Sequence, residues 1–184
     1  MKRTLSAGLA ALALAGLAAG AARAGQYVPA TWNSNMSLFV DTATLRGAPG
    51  DGPNVVQFWD ATIAMRDGSA GGGPHTAYAM GRVEVDCDGQ RWRPLAVVTY
   101  DVSGSNEPAN SSYAPGAWQP VVPDSVAAGE LRVVCDSAYR ATLRTIETTP
   151  GDLVQRLRTY AAAHPDAFAP PPPPPPVPSS ALGH

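Results

Sequence analysis

The chain of 184 residues holds only two cysteines, Cys87 and Cys135. Thiols stay reduced in a cytosol and pair in an oxidising envelope, so the compartment decides what this pair does to the fold. The N-terminus points to the envelope. Lys2 and Arg3 form a short positive start, and an apolar run of mostly Ala, Leu and Gly extends from Leu5 to Ala22. Ala22-Arg23-Ala24 then places small residues at the two positions a signal peptidase reads. A secretory leader over residues 1–24 is expected. The competing reading is a transmembrane anchor, but the run is short, broken by glycine and followed by a cleavage site instead of a stop-transfer pattern. No later stretch is apolar enough to span a bilayer, and no cysteine stands at the cleavage point to take a lipid. The expected product is soluble, in the periplasm or at the cell surface of a Gram-negative-type bacterium.

In that setting Cys87 and Cys135 read as a disulfide. Free thiols or a metal pair would need His or Cys neighbours, and His75, His164 and His184 are scattered. The closed loop spans about 49 residues, for which chain entropy sets an upper stabilisation of roughly 4 kcal/mol. About 160 residues remain beyond the leader, enough for one domain with a core. Of 13 basic residues three lie in the leader, leaving 10, all arginine, against 15 acidic residues. No basic cluster stands out, so neither nucleic acid nor anionic lipid is an expected partner.

Residues 25–135 read as the folded domain, 136–168 as a helical C-terminal extension, and 169–184 as a proline-rich tail. Met36 to Val40 is short and apolar. In Asn54 to Met65 the residues Val55, Trp59, Ile63 and Met65 recur at even spacing. Val83, Val85 and Cys87 alternate with Arg82, Glu84 and Asp86, and Gln90 to Tyr100 alternates in turn. These are patterns of half-buried antiparallel strands. Asp88-Gly89 marks a tight hairpin between two of them. Asp67 to Pro74 and Ser103 to Pro115 read as looser loops, so the strands form an antiparallel meander.

After Pro123 the period changes. Asp124 or Ser125 caps a helix whose stripe is Val126, Leu131, Val134 and Cys135, with Gly129 weakening it by about 1 kcal/mol. A helix laid on one face of a sheet and tied there by Cys87–Cys135 makes a two-layer α+β fold. A further helix starts at Thr149-Pro150, with Asp152 placed for a capping box and Leu153, Leu157, Tyr160 and Ala161 as its stripe. His164-Pro165 ends it. Ala138 to Thr148 reads equally as helix or strand. Pro170 to Pro176 is an extended polyproline segment, a stiff spacer or a ligand for an aromatic groove.

No nucleophile-and-base motif is present, nor His-Glu-x-x-His, Cys-x-x-Cys or a phosphate loop; Gly71-Gly72-Gly73 is not followed by Gly-Lys-Ser. None of the three histidines looks held by an element interior. No catalytic residue, metal ligand or cofactor is therefore expected, and the chain reads as non-enzymatic. Glu84, Asp86 and Asp88 resemble a cation site, but two lie on a solvated face and Asp88 sits in a turn. His75 is a candidate lone axial ligand for haem, against its being simply solvated. The four tryptophans, Trp32, Trp59, Trp92 and Trp118, matter more: two or three should fill the layer between helix and sheet, leaving one as an exposed binding anchor.

The order of features resembles the surface-adhesin protein E family. The resemblance rests on Leu38-Phe39-Val40-Asp41-Thr42-Ala43-Thr44-Leu45-Arg46, then Val83-Glu84-Val85-Asp86-Cys87 and Gln90-Arg91-Trp92-Arg93, and finally Trp118 to Val126 with the helix ending at Cys135. It covers about residues 30–136. It implies an antiparallel sheet of about six strands with the last helix disulfide-tied to it through Cys87 and Cys135. It also implies adhesin-type contact with host matrix or serum proteins such as vitronectin and laminin, and with haem. The sheet, the spare aromatics and the absence of catalytic groups themselves read as a module that binds a protein partner, host matrix or envelope component. The alternative reading is a periplasmic carrier of a small ligand such as haem, held between helix and sheet.

Overall fold

The computed structural model describes residues 24–32, 35–48, 52–65, 76–101 and 115–164. The leader through residue 23, the loop expected at 67–74, most of the loop expected at 103–115, His75, His184 and the proline run lie outside them.

The alternation around Val83 and Val85 builds the hairpin of β4 (Thr76–Asp86) and β5 (Arg91–Asp101). Its ends meet at Asp86↔Arg91. The turn is four residues wide, not two, because Asp86 Oδ1 accepts the Gly89 amide at 2.9 Å and Gln90 takes a left-handed φ of 47°. On the other side β4 pairs with β3 (Val55–Ala64), β3 with β2 (Met36–Gly47), and β2 with β1 (Gly25–Trp32). A two-residue β6 (Gln119–Pro120) extends the β5 edge. Pro29 and Pro94 each sit beside a break in register, where a missing donor is tolerated.

The ambiguous stretch before Thr149 divides into α2 (Ser137–Thr142) and β7 (Ile146–Thr148). β7 returns to pair antiparallel with β1, giving the order β6-β5-β4-β3-β2-β1-β7. The sheet therefore has seven strands where about six were expected. Gly25–Trp32 escapes a periodicity reading because Pro29 and Ala30 interrupt its alternation, and a three-residue strand carries almost no pattern.

Ser125 caps α1 (Val126–Cys135), its side chain accepting from the Ala128 amide at 3.2 Å. Thr149 caps α3 (Pro150–Ala163), accepting from the Asp152 amide at 3.2 Å and donating to Asp152 Oδ2 at 2.9 Å. The buried residues of α1 are Ala127, Glu130, Val133 and Val134, so its inward stripe is shifted from the expected one. Gly129 has a reason to be glycine. A Cβ there would stand 2.5 Å from the Ala30 carbonyl oxygen, so α1 and β1 approach closely.

Paired residues share a face, and successive residues alternate. Val28, Val40, Asp60, Gly81 and Val97 thus lie on one face, and Tyr27, Asp41, Trp59 and Arg82 on the other. The first face contributes Val28, Leu38, Val40, Phe58, Val83 and Val85 to a core cluster shared with Val133 and Val134 of α1. The second contributes Tyr27, Phe39, Ala61, Ile63 and Tyr78 to a cluster shared with Leu153, Val154 and Leu157 of α3. Tyr160, expected in the α3 stripe, is exposed and stacks on His164. Cys87 and Cys135 form a disulfide with Cα atoms 5.6 Å apart, joining the end of the β4 side to the end of α1.

Candidate binding surface

Arg46, Gln57, Glu84 and Arg93 stand opposite one another across β2, β3, β4 and β5. Their side chains connect into one row. Arg46 Nε donates to Gln57 Oε1 at 3.0 Å, Gln57 Nε2 to Glu84 Oε1 at 2.8 Å, and Arg93 Nε to Glu84 Oε2 at 2.8 Å. Arg93 Nη2 closes an ion pair with the same oxygen at 2.6 Å. Glu84 is buried beneath this row, so its charge is met by a fixed guanidinium and an amide.

The row ends under an aromatic ring. The Arg93 guanidinium carbon lies 4.5 Å from the centroid of Trp118, and that of Arg91 lies 5.2 Å from it. Arg91 also pairs with Asp86 at 2.6 Å. The Gly89 amide, then Arg91, hold the Asp86 carboxyl below the usual carboxylate range. Three arginines and a tryptophan thus meet two carboxylates on one sheet face, in a chain that is otherwise acidic. Arg91 leaves 49 % of its side chain to solvent.

Upstream, the Asp41-to-Arg46 string is a turn set inside a strand. The register jumps between Asp41↔Trp59 and Arg46↔Gln57. Asp41 Oδ1 accepts the amides of Gln26 and Ala43, while Thr44 Oγ1 donates to the Asp41 carbonyl and accepts the Trp59 amide. The bulge lets β2 resume with Arg46 aimed at Gln57.

The tryptophans divide differently from expectation. Only Trp92 packs against the cluster shared with α1. Trp59 lies half-buried on the opposite face, Trp118 carries the arginine stack, and Trp32 is 43 % exposed at the end of β1. The acidic candidates are occupied locally: Glu84 by Gln57 and Arg93, Asp86 by Arg91 and Gly89, and Asp88 by Asn54 at 2.5 Å. Among the described residues no group of three His, Cys, Asp or Glu could hold a metal ion. His164 sits at the end of α3 with Nδ1 3.0 Å from the Tyr160 carbonyl oxygen.

Asp60 of β3 and Glu130 of α1 were not singled out from the sequence. Both are buried, at 6 % and 4 % exposure, and their side chains bond to each other. Asp60 Oδ1 also accepts the Gly81 amide at 3.0 Å. Burial first, and then the Asp60 charge, push Glu130 well above the usual carboxyl range. The available signal was a glutamate inside the apolar face of α1.

The sequence model of the surface-adhesin protein E family matches residues 27–136. The chain belongs to that family. The matched span contains the Asp41 turn, the arginine row, Trp118 and both cysteines of this surface-adhesin E protein. Solved structures of Haemophilus influenzae protein E are similar to it. One aligns at 13 % identity over 59 % of this chain and 83 % of that one, with a TM-score of 0.43. Crystal form II aligns at 12 % over 53 % and 79 %, with 0.42. The protein from a non-typeable strain aligns at 12 % over 73 % and 88 %, with 0.42. No curated protein sequence matches. Surface-adhesin E membership implies an exported or cell-surface protein with an adhesin-like, binding role. No helix among the described residues is long and apolar enough to cross a membrane.

Proposed function

We propose that this chain is a non-enzymatic binding protein of the bacterial envelope that contacts a protein partner through the face bearing Arg46, Arg91, Arg93 and Trp118. The partner is a host matrix or serum protein, or an envelope component. The stack of Arg91 and Arg93 on Trp118, inside the family-matched span, carries this reading. Arginine and tryptophan dominate the energetics of protein interfaces because each offers a large planar surface with a polar handle. The row is held by hydrogen bonds across four strands, so little ordering entropy remains to be lost on contact. The reading takes residues 1–24 as a leader, α1 as a helix laid over the opposite face, and residues 169–184 as a spacer. The cluster shared by Val133, Val134 and Val85 supports the helix placement.

The test is retention of the purified protein on immobilised host matrix, serum and outer-membrane proteins. One fraction should retain the wild type, and Arg91→Ala with Trp118→Ala should weaken retention at least about ten-fold. Arg93 is left intact because its loss would strand the buried Glu84. Failure of every fraction to retain the protein, or equal retention of the variant, overturns the reading. Digestion of intact cells with a protease that cannot cross the outer membrane separates surface display, where the protein is lost, from the periplasm, where it survives.

A further inference from the structure

On the face opposite the arginine row, the sheet carries a groove of about 450 Å³. Its walls include Met36, Thr62, Val83, Trp92 and Pro94, and among the described residues Asp60 is the only ionisable one in its lining. A carboxylate buried among apolar groups is costly unless a cation or several donors meet it. Asp60 receives the Gly81 amide, and what faces it from α1 is a second carboxyl, Glu130. Neither β2, β3, β4 nor β5 places a cationic side chain in the lining. Glu130 bonds to Asp60 from outside the groove's lining. Gly81 lets the Asp60 carboxylate pack against the β4 backbone, since a Cβ there would stand 2.6 Å from Asp60 Oδ1.

We propose that this groove binds a small organic cation, an ammonium group on an apolar body, with Asp60 as its counter-charge. Asp60 supplies the acceptor for the ammonium, Trp92 in the wall supplies an aromatic surface that attracts cations, and the apolar lining takes the rest of the molecule. The volume falls in the range of small-ligand sites. A bare metal ion is a poor fit, because one carboxyl among apolar walls offers too few oxygens. An anion would meet only like charge. The site is independent of the protein-binding face, so either can fail without the other.

Calorimetric titration of the purified protein with phenethylammonium chloride, and with 2-phenylethanol as its uncharged counterpart, tests this. The ammonium should bind saturably at one site, and the alcohol at least about ten-fold more weakly. Asp60→Asn, which keeps the shape and the Gly81 bond, should weaken ammonium binding by a similar factor. Thermal melts verify that the variant folds, and the ammonium-against-alcohol contrast in the wild type stands without it. Equal binding of the alcohol, unchanged affinity in folded Asp60→Asn, or no ammonium binding at millimolar concentration overturns the proposal.

Discussion

Asp60 and Glu130 face each other between a strand and a helix, and two buried carboxyls in contact resist ionising together. Burial raises both; the Glu130 bond and the Gly81 amide pull Asp60 back, whereas the Asp60 charge raises Glu130 further, so the proton resides on Glu130. An unfolded glutamate titrates near 4.5. The folded state holds the extra proton to higher pH, so this contribution to stability is complete below about 4.5 and is lost as pH rises through the folded value. Glu130→Gln should therefore gain on the wild type as pH rises from about 4.5, read as the difference in urea midpoints across a pH series. Parallel curves would rule out the shared proton. Asp60 is visible in the sequence as a charge inside an apolar strand. Its partner lies 70 residues away, and no local pattern links the two.

At the scale of elements, local signals and tertiary contacts make opposite forecasts for one residue. Helix propensity alone says that Gly129→Ala stabilises α1 by about 1 kcal/mol. The approach of Gly129 to the Ala30 carbonyl oxygen says that a methyl group there forces α1 off β1. The expected result is net destabilisation of about 1–3 kcal/mol, the usual cost of overpacking, measured by thermal denaturation. A stabilised variant would mean that the close approach is wrong. Caps behave more simply. Thr149→Ala removes the acceptor for the Asp152 amide and should cost about 1 kcal/mol by the same measurement. Both helix starts were legible at Ser125 and Thr149, because capping is a contact within four residues. The stripe of α1 was less so, since a helix this short is oriented by what it meets.

The whole molecule closes by returning to its beginning. β7 pairs with β1, and α3 shares Tyr27, Phe39 and Ile63 with the sheet. A chain ending at Asp136 would keep the family-matched span but uncover that cluster. It should unfold without a cooperative transition or self-associate, as sedimentation and a urea titration would reveal. A monomeric, cooperative fragment would show that α3 is dispensable. Reduction of Cys87–Cys135 should lower stability by up to roughly 4 kcal/mol, seen as a drop in melting temperature with reductant. An unchanged melting temperature would mean that the sheet and α1 hold together without the tie.

What the sequence determined by itself is what short-range chemistry writes: alternation for β3 to β5, the turn after Asp86, the caps at Ser125 and Thr149, and a cysteine pair consistent with the family pattern. The tertiary structure alone decided the seventh strand, the opposition of the two core clusters, the row from Arg46 to Arg93, and the meeting of Asp60 with Glu130. Each of these joins residues far apart in the chain. Their energies arise from burial and register, which exist only once the sheet has formed.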